Sequence, residues 1–229
     1  MSIISDNIAS IKENIKSAAL RAGRDPGGIT LVAVSKTVDT KEILDAYDNA
    51  GQIDFGENRV QELVRKYDER FNWHMIGHLQ KNKVKYIVGK VKLIHSVDSI
   101  ELMDEIEKCA FNQSKIVSFL LEVNISGEKS KFGVSLDAVL QIAMKMSQYR
   151  NITLQGLMTM APNITDRVKI REIFRQLHDV YVDIKNKNIH NVNMKYLSMG
   201  MSNDYEVAVE EGANLVRIGT SVFTKAENV

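Results

Sequence analysis

Lys36 follows the apolar run Leu31-Val32-Ala33-Val34-Ser35, and Arg217-Ile218-Gly219-Thr220 closes the last strand-like segment of the chain. A lysine at one strand tip can form a Schiff base with an aldehyde. A glycine-hydroxyl turn at another can turn backbone N–H groups toward a phosphate. A second such turn, Ser198-Met199-Gly200-Met201-Ser202-Asn203-Asp204, leads from strand-like sequence into a helix, with Ser202 as the expected cap. The pairing suits a phosphorylated aldehyde. The plain alternatives are a solvated strand-end lysine and two ordinary helix caps.

These residues need elements to hold them. Short β-rich runs near 30–35, 53–56, 73–77, 92–96, 116–124, 152–159, 194–199 and 214–219 alternate with helical patterns near 40–50, 59–69, 81–89, 99–111, 135–149, 165–187 and 202–212. A further helix opens the chain, with Ile4, Ile8, Ile11 and Ile15 on one stripe, and Gly23 and Pro26-Gly27-Gly28 end it. Eight β units separated by helices predict an α/β fold, a (β/α)8 TIM-type barrel forming a single domain over 1–229 with an extra N-terminal helix. An open doubly wound sheet is the rival. In a barrel the loops after strands seven and eight are a recurrent phosphate site, which is where both glycine turns fall.

Period-two alternation assigns strand faces. In the fifth strand Ser118, Leu120, Glu122 and Asn124 form the mixed-polar face expected to look inward; in the eighth, Leu215, Arg217 and Gly219 do. An inward arginine needs acceptors for its hydrogen bonds. Glu122 and a ligand heteroatom are the two candidates. The stripe Ile170, Phe174, Leu177, Tyr181 and Ile184 is the core face of the longest helix.

Composition narrows the function. The chain has 229 residues, 44% hydrophobic and 26% charged, and thirty basic against 29 acidic residues leave a formal charge of +1. No broad field would draw nucleic acid or an anionic membrane, so a small ligand is expected, with neither of those as a partner. No export signal or run of eighteen apolar residues stands in the sequence, and a cytoplasmic location is expected. The single cysteine, Cys109, fits the buried side of a helix. His74 and His78 have the spacing of a zinc pair, but they straddle a strand end and its loop, so no metal is expected. Lys81, Lys83 and Lys85 read as a solvated helix face in preference to a second phosphate site.

Several runs then resemble one family. Val34-Ser35-Lys36, Phe55-Gly56-Glu57-Asn58-Arg59-Val60-Gln61-Glu62 and Trp73-His74-Met75-Ile76-Gly77-His78-Leu79-Gln80-Lys81-Asn82-Lys83 are similar to the YggS/PROSC-type pyridoxal phosphate homeostasis proteins. So are Asn124-Ile125-Ser126 with Glu128, Lys131 and Gly133, then Gly156-Leu157-Met158, Ser198 to Asp204, and Arg217 to Thr220. The resemblance implies a barrel like the N-terminal domain of alanine racemase, with pyridoxal phosphate held as a Schiff base on Lys36. By the same resemblance Asn58 lies beside the cofactor ring and Arg217 faces its nitrogen. Ser198, Ser202, Gly219 and Thr220 surround the phosphate, and His78 and Met158 are pocket-wall candidates.

Arginine only donates hydrogen bonds, so it leaves the ring nitrogen unprotonated and the electron sink weak. Only nine residues follow Thr220 in the sequence, and a second β domain that would bring an opposing acid/base is not expected. The expectation is therefore a monomeric carrier that maintains pyridoxal phosphate and amino-acid homeostasis without robust catalysis and hands the cofactor to apo enzymes in transient contacts. A pyridoxal phosphate-dependent racemase and an aldolase-like barrel acting on a sugar phosphate are the alternatives.

Overall fold

In the structure, a computed structural model that describes residues 2–128, 132–162 and 164–224, eight parallel strands pair in sequence order and the last returns to the first. The strands are β1 (Thr30–Val34), β2 (Asp54–Glu57), β3 (Asn72–Met75), β4 (Leu93–Val97), β5 (Val117–Glu122), β6 (Ile152–Met158), β7 (Val192–Ser198) and β8 (Leu215–Ile218). Closure is direct: Ala33 of β1 is in register with Phe55 of β2 on one side and with Ile218 of β8 on the other. The closed barrel is the expected one, and the open sheet is excluded.

The helices are α1 (Ile3–Arg21), α2 (Thr40–Ala50), α3 (Val60–Lys66), α4 (Ile100–Asn112), α5 (Ala138–Lys145), α6 (Arg167–Asn186), α7 (Tyr205–Glu210) and α8 (Thr220–Phe223). The expected N-terminal helix is present. Ser2 and Ser5 cap it reciprocally, side chain to backbone, at 3.0 and 3.1 Å. Its residues Ile8, Ile11 and Ile15 are buried, and it packs against α2 and α7. All five residues of the α6 stripe are buried, as is Cys109 on α4.

Two helices depart from the sequence pattern. Lys81–Tyr86 is a 3-10 segment instead of an α-helix. Lys81 and Lys85 would repel one turn apart in an α-helix, and only Val84 in this segment is buried. The stretch expected as one helix over 135–149 is α5 followed by a 3-10 turn, Met146–Gln148.

Apolar side chains divide into two clusters. The larger lies between sheet and helices and includes Phe55, Trp73, Phe119 and Phe174. The smaller is Val32, Leu93, Leu120, Met158 and Leu215, with Tyr196 packed on it. These five come from alternate positions on five strands and fill the barrel interior. The parity confirms the inward faces expected for β5 and β8.

Strand β6 breaks that parity. Leu154 and Leu157 both belong to the outer cluster although they are three positions apart, an odd spacing that should set them on opposite faces, whereas Met158 faces inward. One extra residue must be absorbed between them, and the registers with β5 and β7 both shift there. Gly156 is the residue that absorbs it, with φ of 147°.

Candidate functional site

The expected site residues come from four consecutive strands of the barrel, β7, β8, β1 and β2. Lys36 and Asn58 follow β1 and β2 on exposed turns, Ser202 lies in the turn between β7 and α7, and Gly219 and Thr220 follow β8. All stand at the carboxyl ends of their strands, the end where barrels of this class hold ligands. The two halves of the site touch. A Cβ placed on Gly219 would lie 3.1 Å from Val34 Cβ and 3.2 Å from the Val34 carbonyl oxygen, so the glycine turn sits against the residue two positions before Lys36.

The turn that carries Lys36 is tied down from below. Lys66 Nζ donates to Glu57 Oε1 at 2.7 Å and to the Ser35 carbonyl at 2.9 Å, and the Ser35 hydroxyl donates to the same Glu57 oxygen at 2.9 Å. Both side chains of this ion pair are 1% exposed. A buried pair with this many hydrogen bonds specifies geometry more than it adds stability. Here it fixes the exit of β1 immediately before Lys36.

Asn58 is held by close backbone approach. A Cβ on Gly77 would fall 2.4 Å from the Asn58 carbonyl oxygen and 2.7 Å from its Cα. Glycine at position 77 lets the loops after β2 and β3 touch. Beside them a cleft of about 470 Å³ is lined by Asn58, Arg59, Glu62, His78, Gln80 and Lys83, among others. His78 stacks on Phe132, with centroids 3.9 Å apart, and its Nδ1 is 3.3 Å from Asp98.

Arg217 enters the interior as expected, and it is 4% exposed. Its acceptors are the Ser198 hydroxyl and the Thr159 carbonyl, the latter at 3.0 Å. Glu122 acts on it only through space. Burial lowers the guanidinium pKa to about 10, against the opposing pull of Glu122 and Asp204. Glu122 is itself 4% exposed, and burial, with the nearby Asp98 charge, raises its pKa to about 7 although Arg217 pulls it down.

Other expectations are modified by local structure. Helix α7 starts at Tyr205 with Asp204 at the N-cap, and Asp204 Oδ1 accepts the Met201 N–H at 2.6 Å. Asp204 therefore closes the turn for which Ser202 was the expected cap. The helix begins three residues after Ser202, with no side-chain cap at Asp204, and Ser202 is left half-buried on the turn. Ser198 is fully buried, with its oxygen between Arg217 and His95. His74 points into the interior and His78 to Asp98, so the two do not converge. Met158 is part of the interior cluster. Lys131 lies outside the described residues.

Residues 54, 92 and 95 escaped the sequence reading. Asp54 and His95 share inward parity with Gly56 and Leu93, which is the signal that could have found them. Among the described residues, no helix is long and apolar enough to cross a membrane.

Known proteins share the sequence and the barrel. Residues 7–226 match the family described as "Alanine racemase, N-terminal domain". The chain is 42% identical over 222 residues to a protein of Aquifex aeolicus named "Pyridoxal phosphate homeostasis protein", covering 95% of this chain and 96% of that one. Its fold matches a crystal structure of an unknown protein from Bifidobacterium adolescentis with a TM-score of 0.90 and 36% identity, over 96% of this chain and 94% of the other. It also matches PipY of Synechococcus elongatus, solved with PLP bound, with a TM-score of 0.83 and 31% identity over 96% of this chain and 100% of that one. The family match over nearly the whole chain and the 42% identity to a full-length relative show that the chain belongs to the alanine racemase N-terminal domain family, alongside the pyridoxal phosphate homeostasis proteins.

Proposed function

We propose that this protein binds pyridoxal phosphate as a Schiff base on Lys36 and maintains pyridoxal phosphate and amino-acid homeostasis without robust catalysis. One observation carries the reading: the turn bearing a primary amine and the Gly219–Thr220 turn lie on neighbouring strands, with Gly219 packed against Val34. The residues present fit the cofactor. Lys36 supplies the amine, while the turns at Ser202 and at Gly219 and Thr220 supply N–H groups and hydroxyls for a phosphate. Asn58, at the exit of the neighbouring strand β2, would lie beside the ring.

When bound, pyridoxal phosphate supplies a reactive aldehyde. Arg217 would hold the ring nitrogen by donating to it, and a group that only donates would leave that nitrogen without a proton. Ser198 anchors Arg217. The arrangement favours retention over chemistry at carbon, which is the property of a carrier. The protein acts as a cytoplasmic monomer that releases its cofactor to apo enzymes.

Purified protein given pyridoxal phosphate is expected to develop a visible absorption band that borohydride fixes, and Lys36→Ala is expected to lose both band and fixation. Protein that stays colourless with the cofactor in excess refutes the proposal. A second reading, an amino-acid racemase, draws on Glu122, whose pKa of about 7 suits an acid/base group. That reading requires deuterium exchange at a substrate α-carbon that Glu122→Gln abolishes. No exchange across a panel of amino acids disposes of it.

A further inference from the structure

A run of polar side chains crosses the barrel interior from the opposite mouth to the site. It begins where Lys92 Nζ lies 2.9 Å from Asp54 Oδ1. The same oxygen is 3.0 Å from His74 Nε2, and His74 Nδ1 is 2.9 Å from His95 Nε2. His95 Nδ1 is 3.0 Å from Ser198 Oγ, which accepts from Arg217. The two rings meet edge to face, with centroids 5.1 Å apart at 75°. His74, His95 and Ser198 are at most 1% exposed, whereas Lys92 keeps 39% of its side chain in solvent.

Counting hydrogens decides the direction of every bond. His74 and Lys92 hold the Asp54 carboxyl below its ordinary range despite burial, so it is ionised and has only lone pairs to offer. His74 Nε2 must then carry a hydrogen. Burial keeps both imidazoles neutral, His95 most strongly, so each ring has one N–H and one lone pair. His74 Nδ1 is thus an acceptor and His95 Nε2 its donor. His95 Nδ1 becomes an acceptor in turn, and the Ser198 O–H is what it accepts. Arg217 has only donors, so a lone pair of the Ser198 oxygen faces it. The opposite arrangement would set a His74 lone pair against the Asp54 carboxylate.

We propose that Asp54, His74 and His95 are positioning residues, which hold the Ser198 hydroxyl as an acceptor and so fix the Arg217 guanidinium in the orientation that presents its other N–H groups to the ring nitrogen of a bound pyridoxal phosphate. The inference rests on the role assigned to Arg217 above. It also spends the Ser198 proton inward, so this hydroxyl does not donate to the phosphate. Residues at the amino-terminal mouth, usually concerned only with stability, thereby set geometry at the carboxyl-terminal rim. Supporting residues of this kind commonly change affinity by about 10- to 100-fold in metal sites.

Two measurements test it. Nitrogen-15 NMR of the histidine rings in cofactor-free protein at neutral pH is expected to show His74 and His95 both protonated on Nε2 and not on Nδ1. An Nδ1–H tautomer or an imidazolium at His95 overturns the relay, whatever binds at the rim. In protein loaded with pyridoxal phosphate, His95→Leu removes the acceptor for Ser198, and His95→Asn restores one. The leucine variant is expected to shift the visible band and weaken cofactor retention by about tenfold, and the asparagine variant to recover most of both. A leucine variant that folds and keeps the wild-type band and retention contradicts the proposal. Should it not fold, Ser198→Ala decides by the same readouts, and an unchanged band again contradicts it. Wild-type protein that takes up no cofactor refutes the carrier reading but leaves the tautomer result to stand by itself.

Discussion

Gly156→Ala is expected to cost more than about 4 kcal/mol of stability and to leave little soluble protein at 37 °C. The added Cβ would lie 1.7 Å from the Tyr196 carbonyl oxygen and 2.7 Å from its carbon, both backbone atoms of the paired strand β7. No side chain can rotate away to relieve that contact. The φ of 147° adds strain of its own for any residue with a Cβ. Separation of β6 from β7 would be the only relief, and it would open the barrel beside Met158, Thr159 and Ser198, on which Arg217 depends. Urea denaturation of the variant measures the loss. A cost below about 1 kcal/mol would show that β6 carries its extra residue in some other way.

Glu122→Gln is expected to stabilise the protein at alkaline pH and not in acid. The folded-state pKa of about 7 stands above the ordinary 4.5, so the folded chain holds a proton that the unfolded chain releases. Stability contributed by that proton is present below about pH 4.5 and is lost as pH rises through about 7. A shift of this size corresponds to about 3 kcal/mol. Glutamine mimics the protonated acid and does not titrate. The difference between variant and wild type should therefore move in favour of the variant by up to about 3 kcal/mol between pH 4.5 and pH 8.5, measured by urea denaturation. A difference independent of pH would mean that Glu122 is ionised in the folded protein without penalty.

Much of the barrel was legible because its signals are local. Alternation within β5 and β8 put Glu122 and Arg217 inside, and the stripes of α1 and α6 marked their buried faces. The glycine turns at 200 and 219 fell after strands seven and eight because the strands could be counted. Cooperation between distant strands was not legible. His74 and His95 are 21 positions apart, and His95 and Ser198 are 103 apart. Each looked like a single polar residue on its strand, and only closure of the barrel joins them. The same holds for Arg217, for which sequence offered Glu122 or a ligand as acceptor. The Thr159 carbonyl, just past β6, and the Ser198 hydroxyl, at the end of β7, meet through a register that could not be read from the residues. The bulge at Gly156 was equally hidden, since a glycine in a strand names no partner.

Lys66 illustrates a further limit. On α3 it reads as one more charged residue of a surface helix, yet it is buried against Glu57 and secures the turn before Lys36. Its pairing depends on the loop length between β2 and α3, which periodicity does not encode.

Borohydride reduction of the cofactor-loaded protein, followed by peptide mass spectrometry, asks whether one molecule of pyridoxal phosphate is attached to Lys36. A single reduced phosphopyridoxyl group is expected on the peptide containing Lys36; an unmodified Lys36 peptide beside a modified lysine elsewhere, or no modified peptide at all, would refute the attachment.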